Sequence, residues 1–182
     1  MACSLTLTGR SRPCRNALGG VKKVWFADGA QGDNYWDDIT LTGVDAGECA
    51  DTQAAQDFYS YFSPKNTSSF TQAVNASIEN GTVFYGQSLT LVLNNITAAD
   101  IATLENMGKG RLAIVVQDNN DNYFVMGHQN GCLLTGGSGA TGAALGDLNG
   151  FTLEFTAEEF DNAPLLPTTA AGVPDTTLAT FN

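Results

Sequence analysis

Basic residues, histidine and long apolar runs are scarce in this sequence. Its 182 residues include 8 Lys and Arg against 19 Asp and Glu, and a single histidine, His128. No run of about 18 apolar residues occurs, so we expect no membrane-spanning helix. Residues 1–20 contain no apolar stretch followed by a cleavage site, which predicts no signal peptide and reduced thiols in a cytosolic setting.

Residues that serve metal binding or nucleophilic catalysis are equally scarce. One histidine cannot complete a zinc site, and the cysteines form no C-x-x-C pair. A Ser-His-Asp or Cys-His site would have to use His128, which no nucleophile motif accompanies. The cysteines are spread along the chain at Cys3, Cys14, Cys49 and Cys132. We therefore predict no enzymatic activity, no cofactor and no metal site.

The few basic residues are concentrated at the N-terminus. Residues 1–23 carry a formal charge of +5 without any acid, and the rest of the chain carries −16. An acidic body repels phosphate backbones, so we expect it to be a poor nucleic-acid binder. The basic leader, which includes Arg10, Arg12 and Arg15, either docks on the acidic body of a neighbouring copy or forms a solvated arm. Nucleic-acid binding remains an alternative for the leader alone.

Period-two alternation of apolar residues predicts a β protein. The segments 68–79 and 83–93 both alternate, and Asn80-Gly81 between them is typical of a hairpin with a type I′ turn. This pattern predicts a long two-stranded ribbon. Further strands are predicted around residues 20–26, 39–42, 111–117, 123–126 and 151–156.

One helix is predicted at about residues 97–107. Thr97 is a suitable N-cap, Asp100 completes an acidic capping box, and Gly108 ends the helix. An apolar stripe follows its inner face at Ile101, Leu104 and Met107. A single helix among antiparallel strands predicts a mainly β fold, an antiparallel β-sandwich or barrel with one flanking α-helix, a long β-hairpin and extended terminal arms.

The domain organisation follows from composition. We predict a basic N-terminal arm at residues 1–19, a β domain at residues 20–162 and an extended C-terminal arm at residues 163–182. The C-terminal arm contains Pro164, Pro167 and Pro174 among small polar residues, a composition typical of an extended segment.

Three glycines, Gly137, Gly139 and Gly142, match the G-x-G-x-x-G pattern of dinucleotide-binding loops. That fingerprint requires a strand before it and a helix after it, so that the pyrophosphate meets the helix N-terminus. Here further turn residues and then a strand follow. We interpret residues 135–150 as a flexible connection and a candidate subunit contact, without a nucleotide.

Two stretches resemble structural proteins of tailed bacteriophages. Residues 137–166 (GSGATGAALGDLNGFTLEFTAEEFDNAPLL) resemble the C-terminal part of tail tube-like proteins. Residues 9–28 (GRSRPCRNALGGVKKVWFAD) resemble the opening of virion structural proteins in phages of Bacteroidetes hosts. The resemblance implies a β-sandwich with a flanking helix, which forms commonly hexameric rings whose sheets join into one barrel around a channel. Related folds also build the rings that join head to tail.

The expected function is a structural subunit of a tailed phage virion, in the tail tube or neck. Its partners would be further copies of itself in a ring, the adjacent virion ring, and tail or portal-proximal proteins. DNA would pass through the channel without specific binding, and the protein would not bind membranes. It would be made in the bacterial host cytoplasm and located in the virion. The candidate subunit-interface residues are Arg10, Arg12, Arg15, Asn80, Gly81, Gly137, Gly139 and Gly142.

A carbohydrate-binding or adhesin-type β-sandwich is the alternative. Aromatic side chains stack on sugar rings, and the chain offers four candidates for this role. They are Trp25, Tyr35, Trp36 and Tyr59.

Overall fold

A computed structural model describes residues 17–29, 57–95, 97–166 and 180–181 of the chain. Within these ranges the chain forms nine strands and one helix. The elements are β1 (Val21–Gly29), β2 (Asp57–Phe62), β3 (Ser69–Ser77), β4 (Thr82–Asn94), α1 (Ala98–Met107), β5 (Arg111–Asp118), β6 (Tyr123–Met126), β7 (Leu133–Ala140), β8 (Gly150–Glu159) and β9 (Thr180–Phe181). The strand predicted around Ile39 and Leu41, like the N-terminal arm up to residue 16, lies outside the described residues.

The strands form two antiparallel sheets that pack face to face. Sheet I has the order β6-β5-β1-β2, and the two residues of β9 pair in parallel with its edge at β2. Sheet II has the order β3-β4-β8-β7. The expected mainly β fold is confirmed as a sandwich. Its described strands do not close into a barrel.

An inner core fills the space between the sheets. It forms because the apolar residues of each strand alternate, which places one set of side chains on the facing surface. Sheet I contributes Val24, Phe26, Ile114, Val116 and Met126, and sheet II contributes Leu89, Leu91, Leu153, Phe155 and Ala157.

Sheet I is buried on its outer face as well. Residues 112–117 of β5 are all buried, whichever face their side chains occupy. A continuous apolar strand of this kind is typical of a sheet covered on both sides. A second buried cluster on the outer face contains Trp25, Ala27, Phe58, Ala113, Val115, Tyr123, Val125 and Leu166.

The first residues of the predicted C-terminal arm lie along the free edge of β6. The amide of Val125 donates to the carbonyl of Pro164 at 2.9 Å, and the amide of Leu166 donates to the carbonyl of Tyr123 at 2.8 Å. Leu166 is buried against the outer face of sheet I. The described part of this arm therefore protects a strand edge of its own domain.

Helix α1 has the predicted capping box. The amide of Asp100 donates to Thr97 Oγ1 at 3.2 Å, and the amide of Thr97 donates to Asp100 Oδ2 at 3.1 Å. The helix ends at Gly108. Of the predicted stripe, Leu104 and Met107 pack on the inner core, whereas Ile101 remains 44% exposed.

The β3–β4 hairpin forms as predicted, but its turn differs. Ser77 and Thr82 are the last pair of the ladder, which leaves a four-residue turn at residues 78–81. Gly81 has φ +64°, while Asn80 is not among the residues with positive φ. The type I′ prediction, which requires positive φ at both residues, is therefore wrong. In this four-residue turn only Gly81 has the left-handed conformation, which glycine adopts without steric cost.

The glycine-rich segment begins as a strand, which corrects the interpretation of residues 135–150 as a flexible connection. Residues up to Ala140 belong to β7, which pairs with β8. Gly139 lies opposite Phe151, and a Cβ at Gly139 would lie 2.7 Å from Phe151 Cε1. The missing side chain at Gly139 therefore makes room for the aromatic ring on the paired strand.

Candidate assembly surface

Sheet II has two open edges, β3 and β7. In the part of the chain that the structure describes, no strand pairs with the outer side of either one. β3 has 9 residues and β7 has 8, and neither contains a charged residue or a proline. Proteins ordinarily protect long edge strands with lysine, proline or a covering segment, because unpaired N–H and C=O groups are templates for another chain. Among the described residues, both edges of sheet II therefore lack a strand partner and a protecting charge.

The ribbon formed by β3 and β4 extends beyond the rest of sheet II. β8 pairs with β4 only from Tyr85 onwards, so residues 82–84 pair with β3 alone. Apolar side chains are exposed on this projecting part and its turn, with Val83 at 53% and Ile78 at 99%. A projecting ribbon with exposed apolar side chains is suited to contact another protein surface.

The outer face of sheet II is polar, and its own strands contribute no basic side chain, although Arg111 of β5 lines the groove on this face. β3, β4, β7 and β8 contain no Lys or Arg, and β8 contains Glu154, Glu158 and Glu159. A shallow groove of about 650 Å³ runs across this face. Small side chains from three strands line it, including Thr71, Ala73, Gly86, Ser88 and Thr156.

A buried polar cluster connects the end of β8 to the turn after β6. The Glu159 carboxylate accepts backbone N–H groups from Gln129 at 3.3 Å and Asn130 at 2.9 Å. Gln87 Oε1 of β4 accepts the N–H of Gly127 at 3.0 Å. Gln87, Glu159 and the neighbouring His128 are all buried. These bonds fix the turn at residues 127–130 against sheet II.

Burial governs the ionisation of this cluster. Burial raises the pKa of Glu159, although the two backbone N–H groups act in the opposite direction. Burial lowers the pKa of His128, and the nearby Asp161 carboxylate opposes this shift. His128 Nδ1 and Glu159 Oε2 have no hydrogen-bond partner among the described residues. Since His128 is 2% exposed, its imidazole is not accessible to a substrate.

An aromatic groove of about 410 Å³ lies between α1 and sheet I. Tyr59 and Tyr61 of β2 line it together with the polar side chains of Thr103 and Asn106 on the helix. Tyr59 is 59% exposed, whereas Trp25 is buried on the outer face of sheet I. Of the aromatic residues proposed from the sequence as sugar platforms, Trp25 is therefore inaccessible. Tyr35 and Trp36 lie outside the described residues.

The predicted interface residues occupy different places. Arg10, Arg12 and Arg15 are outside the described residues. Asn80 and Gly81 lie at the exposed tip of the ribbon. Gly137 and Gly139 lie in the open edge β7, on the opposite side of sheet II.

Gly142 lies in the loop after β7, where it has a structural role. Its φ is +69°, and a Cβ there would lie 2.5 Å from Asp147 Cβ. The Asp147 carboxylate closes this loop by accepting the N–H groups of Ala143 and Ala144, both at 2.8 Å. These bonds lower the pKa of Asp147. Unpaired edges on the ribbon are expected from the sequence, but sequence reasoning missed the open edge at β7, although the absence of charge in residues 133–140 was a readable signal.

Residues 17–29, 57–95, 97–166 and 180–181 contain neither a metal-binding cluster nor a membrane-spanning helix. No group of three His, Cys, Asp or Glu side chains in these ranges could hold a metal ion. No helix there has the length and apolar character needed to cross a bilayer.

Comparison with known proteins gave no match. No protein-family profile matches the chain, and no curated protein or solved structure is similar to it. A functional inference therefore depends on the geometry of this chain.

Proposed function

We propose that this protein is a structural subunit that self-assembles into a closed ring in the tail tube or neck of a tailed phage virion. The observation that carries the proposal is the pair of open, uncharged edges on opposite sides of sheet II. β3 of one copy would pair with β7 of the next copy, so that sheet II continues from subunit to subunit. The resemblance to tail tube-like proteins supports the virion location and a ring of six copies.

Ring closure follows from the geometry of such a contact. β3 and β7 are different surfaces, so pairing them produces a heterologous interface that generates a ring when the rotation closes. The projecting ribbon, with Val83 and Ile78 exposed, adds apolar contact area beside the paired edges. Main-chain hydrogen bonds supply affinity in strand addition, and side chains at alternate positions supply specificity.

The outer face of sheet II suits the wall of a channel for DNA. Its strands carry glutamates and no Lys or Arg, and acidic surfaces repel phosphate backbones. Small side chains fill much of the rest of the face, and the one arginine that lines its groove, Arg111, lies there together with Glu158. DNA would therefore pass this surface without being retained.

Single lysines placed on the two edges test the proposed contact. Val74 shares its face of β3 with Phe70, which packs against the inner core. A lysine on an edge strand opposes pairing with another strand, whether it points inward, as at Val74, or lies on the outer face, as at Ser138 opposite Thr152. Val74→Lys on β3 and Ser138→Lys on β7 should therefore each weaken self-association by at least about 10-fold. Ile101→Lys on α1 is the matched control and should associate like the unmodified protein, as measured by analytical ultracentrifugation.

Mixing the two variants distinguishes a β3–β7 contact from a symmetric one. Val74→Lys retains an intact β7 and Ser138→Lys retains an intact β3, so their mixture should form heterodimers and nothing larger. Association of Val74→Lys at the strength of Ile101→Lys would refute the proposal. Electron microscopy of the assembled particle then tests the ring and its location in the virion.

A carbohydrate-binding domain is the second candidate, and the groove at Tyr59 is the observation that favours it. An exposed tyrosine beside the amide of Asn106 and the hydroxyl of Thr103 combines a stacking surface with hydrogen-bonding groups. Glycan-array binding that Tyr59→Ala abolishes would support this candidate. The absence of any glycan signal at high protein concentration would count against it.

A further inference from the structure

The projecting ribbon has one apolar face. Val74, where the pairing with β8 ends, and Val83, further along the ribbon, lie on the face that Phe70 uses to pack against the inner core. Both valines are more than half exposed, and Ile78 in the turn is 99% exposed. The ribbon therefore presents an apolar surface that no described part of its own chain covers.

The groove between α1 and sheet I is an apolar cavity that could receive such a surface. It has a volume of about 410 Å³, and its walls include Phe26, Tyr61, Met107 and Leu112. Gly110 lines it as well, at a position where a Cβ would meet no atom within 4 Å. The groove is therefore open to a branched aliphatic side chain from another chain.

The ribbon and the groove lie at the same end of the domain. The ribbon leaves sheet II at the end where β8 finishes and β7 begins at Leu133. The groove is at this end too, because Leu112 in its wall forms a β-bridge with Cys132, the residue before β7. Helix α1 also borders β7, since a Cβ at Gly108 would lie 3.8 Å from a methyl carbon of Leu134. The groove therefore lies on the β7 side of the domain, and the ribbon lies on the β3 side.

The proposed contact between copies brings these two features together. Neighbouring strands of sheet II are antiparallel, so β3 and β7 run in opposite directions and would pair antiparallel across two copies. The Ser77 end of β3 in one copy then lies beside Leu133 of the next copy. Because the continued sheet keeps one inner face, the apolar face of the ribbon points to the layer of the next copy that contains α1 and the groove.

The charges of the two surfaces are complementary. Within residues 69–84 the single charged residue is Glu79, in the turn of the ribbon. Lys109 and Arg111 flank Gly110 at the groove. Neither basic side chain lies within ion-pair distance of an acid among the described residues. Glu79 of another copy would supply an acidic partner at this place.

We infer that the ribbon of one copy inserts Ile78 and Val83 into the groove between α1 and sheet I of the next copy. The inference rests on the proposed pairing of β3 with β7 and identifies a second surface of the same contact. It assigns the groove at Tyr59 a protein ligand, a second copy of this chain, in place of a sugar.

Photo-crosslinking from position 78 tests the inference in the full-length protein. Ile78 is replaced by p-benzoylphenylalanine in a mixture of ¹⁴N- and ¹⁵N-labelled protein, and the crosslinked peptides are mapped by mass spectrometry. We expect crosslinks between copies to residues 57–62 or 103–112, which contain the groove walls. The matched control carries the same replacement at Leu145, which is equally exposed on the loop at the opposite end of sheet II, and should not crosslink to these residues.

Failure of this contact and failure of the proposed ring give different results. An assembled protein that lacks the crosslink from position 78 to the groove overturns the inference and leaves the β3–β7 pairing intact. A protein that remains monomeric at every concentration in analytical ultracentrifugation overturns both.

Filling the groove tests the contact without altering the ribbon. Gly110→Leu adds a side chain where no atom obstructs its Cβ and no positive φ opposes it, so urea denaturation should show an intact fold. The added side chain competes with the ribbon for the groove and should weaken self-association at least about 10-fold. Gly146→Leu, at an equally open glycine at the opposite end of sheet II, should associate like the unmodified protein. Unchanged association of Gly110→Leu would overturn the inference.

Reversal of the charges provides a readout that a loss of folding would not imitate. Glu79→Lys and Lys109→Glu should each weaken self-association by about 2- to 5-fold, as expected for an exposed ion pair. A chain that carries both substitutions should recover the lost affinity, because the pair is restored with its signs exchanged. Additive losses in the double variant would contradict the placement of Glu79 beside Lys109 of the next copy.

Discussion

The two sheets of this sandwich differ in what they leave uncovered. Sheet I is buried on both faces, and its strand β5 is apolar throughout residues 112–116. Sheet II is buried only on its inner face and presents glutamates and small polar side chains on the other. One sheet therefore provides the scaffold, and the other provides an exposed surface.

The edges of the sheets differ in the same way. In sheet I, residues 163–166 lie along β6 and β9 pairs with β2. In sheet II, neither β3 nor β7 has such a neighbour in the described part of the chain. Within the described residues the open edges therefore belong to one sheet only, and these are the edges that the proposed assembly would pair with another copy.

The largest expected effect comes from placing a charge on the outer face of each sheet. Val115 on sheet I is completely buried, so Val115→Asp should destabilise the fold by more than about 4 kcal/mol or prevent folding. Thr71 on sheet II is exposed, and Thr71→Asp should change the free energy of unfolding by less than about 0.5 kcal/mol. Urea denaturation of both variants measures the difference. Equal losses of unfolding free energy in the two variants would contradict the distinction between a covered face on sheet I and an uncovered face on sheet II.

Removal of the Leu166 side chain, in the segment that lies along β6, should have the next largest effect on stability. Leu166 is buried against the outer face of sheet I, and Leu166→Ala should cost about 2–4 kcal/mol. Leu133 at the start of the open edge β7 is 50% exposed, so Leu133→Ala should cost less than about 1 kcal/mol. Thermal unfolding of the two variants provides the comparison. A similar change in Tm for both would show that the C-terminal segment contributes little to sheet I.

The glycine loop after β7 should give an intermediate effect. Gly142→Ala forces a side chain into a left-handed conformation and against Asp147, which should cost about 1–3 kcal/mol. Gly146 in the same loop has open space around its Cα and no positive φ, so Gly146→Ala is the matched control and should be nearly neutral. Chemical denaturation distinguishes the two. A neutral Gly142→Ala would mean that the loop adapts freely.

The smallest effect is a pH dependence of stability at the junction of the two sheets. Burial depresses the pKa of His128 below its usual 6.5, so its contribution to stability is complete above that value and is lost as the pH falls. Between roughly pH 7 and 5 the unmodified protein should lose more stability than His128→Gln. Glu159 acts oppositely, because its raised pKa makes its contribution present at acidic pH and lost as the pH rises. Urea titrations of both proteins at several pH values measure the slopes, and parallel slopes would contradict the assignment to His128.

The sequence allowed α1 and β5 to be predicted because their signals are local. Thr97, Asp100 and Gly108 mark the ends of the helix, and residues 112–116 form an uninterrupted apolar run. β7 was not predicted because glycines at positions 136, 137 and 139 carry no alternating side-chain pattern. Its strand conformation depends on pairing with β8, which local sequence does not reveal.

The polar cluster could not be predicted for a similar reason. Gln87, His128 and Glu159 are separated by up to 72 positions in the chain, and the register between β4 and β8 brings them together. Their sequence neighbourhoods resemble those of ordinary surface residues. The tertiary structure was required to show that a glutamate in the run Ala157-Glu158-Glu159 is buried.

In the proposed ring, the open edges make the stability of each subunit depend on the concentration of copies. Backbone groups along β3 and β7 bond to water in an isolated copy and to another subunit in the proposed ring. Mass action then links folding to concentration, because any contact available only to the folded chain shifts the unfolding equilibrium. Under the proposed assembly, each subunit would become most stable when copies are abundant enough to meet.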